Sequence, residues 1–593
     1  MSDLNDSAVQ AHHEKGDSAE LREIAGDGNL VYADVEDEPA LHWKTWLAIL
    51  AIFFQQFATL FALIGPPTVL IYIGRDLQNS QRQNWIPNIA PMVQASLGPF
   101  FASASDTFQI RKQFLMGLSV LGFIGSTIAP GSQDIYRLIG ASLLIAMAIA
   151  TGPIAYAVPS EIVPRRWRPF AQGAINVGAG LAATTAPIIC GAMQSGIGGG
   201  GWRNTYWLQA GLWGASTIGI LVGYNPPKRH TRYDHLSWIQ KLGKLDLVGS
   251  FLLTAGMTLL ITGLNLGGNL FRWRSAEVLG CLISGILSLI TFGAYEAWGT
   301  ATGILHHDLF RDNGRHLAAL TTCCALFWLE GLMFFGFANF YPILMTFLFT
   351  TNTVMVGVYS LPCFAIATVT TMLFAAFSSK AKMIRSPLVI GFAIWTAGIA
   401  VLAAVQPGQL GIALAGATLV GVGIGAPIVL IIAAVQLSSP HHLIATATAA
   451  VVASRALAGG IFTAVYSAVM TNRLDKYIPS YVSTAALGSG LPPSSLGAFI
   501  GALTSHDFAG LSQIPGVSPA ITAAGAAALT KAYADGIRVI FIIAAPFGIV
   551  ACIFTCLLPN LKGKMDYLVE APMEELHHRH HHFSHSTSPG SHQ

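Results

Sequence analysis

WLAILAIFFQQFATLFALIG, residues Trp46–Gly65, runs for twenty residues without a charge. A helix needs about 20 mostly apolar residues to cross the ~30 Å hydrocarbon core of a bilayer. Only structures that pair all their own backbone groups survive there. The run, extended to roughly 46–72, therefore reads as a membrane-spanning helix. Applied outward from it, the same window predicts spans at roughly 84–104, 113–130, 135–157, 169–193 and 204–224. Further spans follow at roughly 246–265, 275–297, 317–347, 353–376, 384–404, 409–434, 442–470 and 536–558. That makes about fourteen. Composition agrees: the chain is 53% hydrophobic and 10% charged, with a mean hydropathy of +0.56. Soluble chains carry roughly 25% charged residues, so the solvent for this one is a bilayer. Its 61 glycines suit helices that approach closely. The fold class expected is an all-α membrane protein.

The pattern divides the chain. Residues 1–43 are polar and acidic, lack the apolar core of a signal peptide, and are expected to be disordered. The first span then serves as the membrane-targeting signal. Residues 44–224 carry six spans, 225–245 a polar loop, 246–297 two spans and 298–560 six more. The last block is interrupted by 471–535, rich in Gly, Ser, Pro and Ala, where short surface helices are expected. Residues 561–593 form a tail with the run HHRHHHFSHS, either a solvated low-complexity segment or a weak metal binder. With the N-terminus inside, the inner loops hold Arg111, Lys112, Arg165, Arg166, Arg168, Lys228, Arg229, Arg232, Lys241, Lys244, Arg311, Arg315, Lys380, Lys382 and Arg385. The short outer loops hold only Arg75, Arg82, Arg203, Arg272 and Arg274. The positive-inside rule then places both termini in the cytosol.

Several functions are excluded. A net charge of +3 gives no footprint for nucleic acid. The seven cysteines all lie in apolar runs, with no disulfide framework and no CxxC metal site. No Walker A loop, HExxH or nucleophile elbow occurs, so neither ATP nor enzymatic chemistry is expected, and no cofactor or metal.

Six stretches carry chemistry. ASASDTFQIRK (102–112) follows the second span and resembles the cytosolic signature of the major facilitator superfamily. Asp106 and Arg111 fit a charge latch that holds an inward gate shut, while Ala102 and Gln109 stand where the signature has Gly. PSEIVPRRWR (159–168) offers Glu161 and Arg168 as a second gating pair. DIYRLIG (134–140) opens the fourth span. Arg137 there either faces the bundle interior, where the superfamily associates an Arg followed by Gly140 with proton coupling, or snorkels to the surface. GAINVGAGLAATTAPIICG (173–191) resembles the Gly- and Pro-rich antiporter signature through Gly173, Pro187 and Gly191. Ala182, Ala186 and Cys190 replace Gly in it. Finally, Glu330 in LFWLEGLMF and Arg455 in VVASRALAGG lie deep in apolar runs. They are candidates for proton coupling or substrate contact, or form a structural ion pair. Gln55, Gln56, Trp85 and Asn88 are candidate cavity-lining groups.

Three longer stretches resemble the fungal trichothecene efflux pump family, within the fourteen-span drug:proton antiporter branch. They are IGRDLQNSQRQNWIPNIAPMVQASLGPFFASASD, LDLVGSFLLTAGMTLLITGLNLGG followed by FRWRS, and VQLSSPHHLIATATAAVVASRALAGGIFTAVYSAVMTNRL. The resemblance covers roughly residues 40–560 and implies two six-helix bundles with two helices inserted between them, working by alternating access. It further implies a fungal source and a plasma-membrane location, with the vacuolar membrane second. The function expected is proton-driven export of a small, fairly apolar compound, by a monomer whose partners are substrate, protons and lipid. The alternatives are proton-coupled uptake of a ferric siderophore, with which the long outer segment is compatible, and a membrane sensor that transports nothing. The carboxylate usual in the branch's first span is replaced here by Gln.

Overall fold

Apolar runs of this length close their own hydrogen bonds as helices, and the computed structural model consists of little else. It describes residues 36–576 apart from 80–81, 198–199, 227–236, 269–270, 301–302, 305–314, 505–507, 512 and 574–575. Residues 1–35, Lys228, Arg229, Arg232, Arg311, the Arg315 side chain and the His-rich run therefore lie outside the described residues.

The first group of helices is α1 (Trp43–Thr68), α2 (Trp85–Phe108), α3 (Arg111–Ile128), α4 (Ile135–Ile149), α5 (Gly152–Ile162), α6 (Arg168–Ile197) and α7 (Trp202–Gly223). Next come α8 (Leu247–Leu266) and α9 (Ala276–Ala294). The last group is α10 (Arg315–Leu348), α11 (Thr353–Ala381), α12 (Arg385–Ala403), α13 (Leu410–Ile424), α14 (Pro427–Ser438), α15 (Ile444–Gly488) and α16 (Pro519–Leu557). The pairs α4–α5 and α13–α14 each make one span, broken where Pro153 and Pro427 enter the second half. Among the described residues, twelve segments are long and apolar enough to cross a membrane. Two more, α2 and α7, have 24 and 22 residues but carry polar groups such as Asn88, Asp106, Arg203 and Gln209. With these two, the described helices match the spans expected.

Two separate hydrophobic cores form, one between Ala48 and Tyr224 and the other between Leu320 and Met565. The bundles they define meet where α6 lies against α11 and α2 against α15. Between them α8 and α9 pair, with α8 resting on α2 and α15. On α9 only Val278 and Gly285 are buried, while Ile283, Leu287 and Ile290 stand exposed. A helix apolar on every side needs an apolar solvent.

Two expectations are corrected. Residues 471–535 are not a loop with short helices alone. Helix α15 runs 45 residues and α16 runs 39, so at about 1.5 Å per residue both reach well past a ~30 Å core. They project together and enclose a small core of their own, with Val482, Phe499, Leu503 and Ile521 at its centre. Hydropathy ends where lipid ends, whereas backbone pairing continues as long as packing supports it. The segment expected to be disordered also makes a tertiary contact before residue 43: Glu38 accepts a hydrogen bond from Trp167 Nε1 at 3.1 Å.

Candidate gate and buried ion pair

Helix α2 ends at Gln109, whose φ of 56° is left-handed. The superfamily signature has Gly at this position, and the backbone makes the turn that favours Gly even though the residue differs. The turn returns Arg111 to Asp106, with Nη2 donating to Oδ1 at 2.7 Å. Arg111 Nη1 also pairs with Glu161. The other oxygen of Asp106 crosses to the second bundle, accepting from Thr446 N at 3.0 Å and Thr446 Oγ1 at 2.7 Å. An aspartate of one bundle thus caps the N-terminus of α15 in the other, where the helix dipole favours negative charge. Asp106, Arg111 and Glu161 are all buried.

A second knot lies beside it. Arg168 donates through Nε to the Ser160 carbonyl and through Nη1 to the Gln436 carbonyl, both at 2.8 Å. Its Nη2 pairs with Glu570 at 2.7 Å. Gln436, near the end of α14, accepts from Gln172 at 3.1 Å and donates to Thr448 at 3.2 Å and to the Tyr156 carbonyl at 3.0 Å. Ala102, Ala157, Ile444, Ala445 and Ala449 pack into one buried apolar cluster drawn from both bundles. On the face where α1 begins and α16 ends, the termini face, the bundles are locked together by charge, hydrogen bonds and dry contact.

Deeper lies the pair Glu330–Arg455. Glu330 is fifteen residues into α10, about 22 Å along its axis. Arg455 Nε meets Glu330 Oε2 at 2.5 Å and Nη2 meets Oε1 at 3.0 Å, a two-point contact. The guanidinium lies 4.7 Å from the Phe334 ring centroid and 5.2 Å from that of Phe327. Close approach is possible because residue 331 is Gly; a Cβ there would stand 2.6 Å from the Arg455 carbonyl. The Glu330 side chain is fully buried, while that of Arg455 is 21% exposed. Tyr156, which packs against both cores, donates to Asn176 Oδ1 at 3.3 Å.

Other candidates fall elsewhere. Arg137 is exposed and its guanidinium reaches back toward Gly131, so it does not face the bundle interior. The buried face of α4 is Ile135, Leu138, Ala141 and Ser142, and residue 137 lies off that stripe. Gln55 is buried inside the first bundle rather than lining a cavity, donating to Thr151 at 3.3 Å and accepting from Ser119 at 3.0 Å. Asn88 donates to Asn265 on α8 at 2.7 Å. On α6, Gly173 faces α11 so closely that a Cβ would lie 2.6 Å from Ala375 Cβ. Gly180 is as tight against Thr368, whereas a Cβ at Gly191 would make ordinary contact with Val354 at 3.6 Å. Pro187 lies within α6 against Gly357 of α11.

Sequence reasoning missed Thr446, Gln436 and Glu570. Only Glu570 left a signal: the Leu568–Val569 pair before it and Ala571 after it form an apolar stretch unlike the polar tail that follows.

The model of the fungal trichothecene efflux pump family (TRI12) matches residues 43–582. The chain belongs to this family. It is similar to the MFS-type transporter prx5 of Penicillium rubens, at 24% identity over 76% of this chain and 81% of that one. Trichothecene efflux pump TRI12 of Fusarium sporotrichioides is 22% identical over 85% of this chain and 84% of its own. Efflux pump apf11 of Gibberella fujikuroi is 26% identical over 69% and 72%. The crystal structure of the human organic anion transporter MFSD10 (TETRAN) superposes with a TM-score of 0.54 at 9% identity, covering 86% of this chain and 99% of that one. The fold is that of major facilitator transporters, and this family member is a multi-pass membrane transporter, not an enzyme.

Proposed function

We propose that this protein exports a small, fairly apolar compound, such as a secondary metabolite, mycotoxin or drug, in exchange for protons. The observation that carries the reading is the Glu330–Arg455 pair, placed at membrane depth with the carboxylate sealed and the guanidinium partly open. Ionisable groups in spans are costly and concentrate where ions or substrates pass. With Glu330 ionised and the site open to the cytosol, the compound packs against Phe327 and Phe334 and takes a donor from the partly open Arg455 guanidinium. After the bundles rock, a proton from the far side neutralises Glu330, the pair that shapes the site loosens and the compound leaves. The protonated carrier returns and gives its proton to the cytosol, which restores the pair, so the proton enters as the compound is exported. Rocking of the bundles supplies the change of access, and the Asp106–Arg111–Glu161 and Arg168 knots are the closed gate.

The termini face is assigned to the cytosol. Arg111, Arg165, Arg166 and Arg168 cluster beside Glu38 and the segment after the last span, as the positive-inside rule expects. The plasma membrane is the favoured location and the vacuolar membrane the second. A monomer suffices for the mechanism.

The test is flux in yeast lacking its own pumps and siderophore importers, loaded in parallel with labelled trichothecene and labelled ferric hydroxamate. Export predicts loss of the toxin that a protonophore abolishes. Protonophore-sensitive gain of iron would reverse the direction, and no flux of either would favour the sensor.

A further inference from the structure

The chain does not hang free after α16. Leu558, Leu561 and Met565 are buried in the core of the second bundle, yet Met573 packs on the core of the first. Between them the segment crosses the seam and is bonded into the loop joining α5 to α6. Arg165 N donates to the Leu568 carbonyl at 3.1 Å and Arg166 N to the Asp566 carbonyl at 2.7 Å, while Ala571 N donates to the Glu161 carbonyl at 2.9 Å. Glu570 Oε1 accepts from Arg165 Nε at 3.1 Å and pairs with Arg168 Nη2 at 2.7 Å. Asp566 Oδ2 lies 3.6 Å from Arg165 Nη1, and Arg166 lies over the Tyr567 ring at 5.2 Å. Leu568, Val569 and Ala571 are buried.

This geometry bounds the slack. From Met565, fixed in one bundle, to Leu568, bonded to the other, three residues span at most about 11 Å when fully extended. A rocking motion that parts the two seats beyond that reach must strip the segment from one of them. The seat on the second bundle is continuous with α16 and its core, whereas the seat on the first is held by ion pairs, three backbone hydrogen bonds and a few side chains. Arg168 is also the residue that reaches the Gln436 carbonyl across the seam, so Glu570 holds in place the guanidinium that closes the gate.

We infer that the segment 562–573 is a working part of the gate: Glu570 is the positioning residue for Arg165 and Arg168, and the segment leaves its seat on the first bundle each time the termini face opens. The inference deepens the alternating-access reading above and rests on it, but its first test needs no substrate. In the full chain, A449C places a reporter in the dry cluster that closes this face. Adding E570Q removes the negative charge that Arg165 and Arg168 meet, and labelling by an impermeant maleimide offered from the termini side should rise about three- to tenfold. E570D should label close to the parent rate. Labelling of E570Q at the parent rate would overturn the proposal.

The second test fixes the seat. R166C with Y567C, two side chains in contact across it, is joined by a short thiol-cleavable cross-linker. Cross-linking should arrest flux and hold A449C labelling below the level of the unjoined double variant, and reductant should restore both. Full flux or unchanged labelling in the joined protein would show that the segment rides with the first bundle, and the inference fails. Absence of transport in every variant would count against the exporter reading alone, because labelling still reports the gate. If E570Q does not reach the membrane, the cross-link decides.

Discussion

Glu330 and Arg455 depend on each other unequally, and substitutions should show it. R455A leaves a fully buried carboxylate without its partner, a change that typically costs about 3–5 kcal/mol. Its yield and thermal midpoint in detergent should both fall. E330Q keeps the shape, and the stranded guanidinium retains solvent on one side and two aromatic rings. That variant should reach the membrane in normal amount with flux reduced at least about tenfold, as expected when a proton-transfer group is lost. Normal flux in E330Q would move the proton site elsewhere. Glu570 behaves differently. Burial alone would push its carboxyl up, but Arg168, Arg165, His441 and the hydrogen bond from Arg168 outweigh burial and hold it at about 2. A carboxylate depressed below its usual value stabilises the fold above that usual value, and the contribution fades only as pH falls toward about 2. Of the groups facing it, Arg165 and Arg168 stay charged, while burial pushes the neighbouring Asp566 up, with Arg165 opposing. A449C labelling should therefore be flat from about pH 6 to pH 8. A steep change there would mean that Asp566 controls the seat.

Helix α6 sets how closely the bundles meet. Gly173 stands against a side chain that has no rotamer to escape into, so G173A must push α6 from α11 at a cost of about 1–3 kcal/mol. G191A adds a methyl at ordinary contact distance and should be neutral. Paired thermal midpoints would show the difference, and equal midpoints would mean that the interface yields. The antiporter-like signature is thus two kinds of position in space: Gly173 needs its Gly, and Gly191 does not. Gly180, spaced seven residues from both Gly173 and Pro187, completes the stripe, since residues seven apart share a helix face.

In the whole molecule, the termini face is closed by contacts that come from both bundles and from the segment beyond the last span. D106N tests the closure directly. It removes the charge that Arg111 meets and that favours the N-terminus of α15, so A449C labelling from this side should rise severalfold, in the manner of a shifted two-state equilibrium. Unchanged labelling would make the latch incidental to closure.

Much of this was legible in the sequence, and the reason is solvent. Lipid demands long uncharged runs, so the spans, their number and the bilayer setting follow from local composition, and the Asp106–Arg111 turn follows from residues five apart. What composition could not supply was direction and distance. Arg137 sits in an apolar run but off the buried stripe of its helix, and Gln55 points into one bundle instead of between two. The partner of Asp106 lies 340 residues away, and Arg168 finds its carboxylate in a stretch that reads as tail. Hydropathy ranks each residue by the medium it prefers. Which charges meet, and where a helix outlasts the membrane, is decided when the two bundles pack and leave only certain atoms within reach.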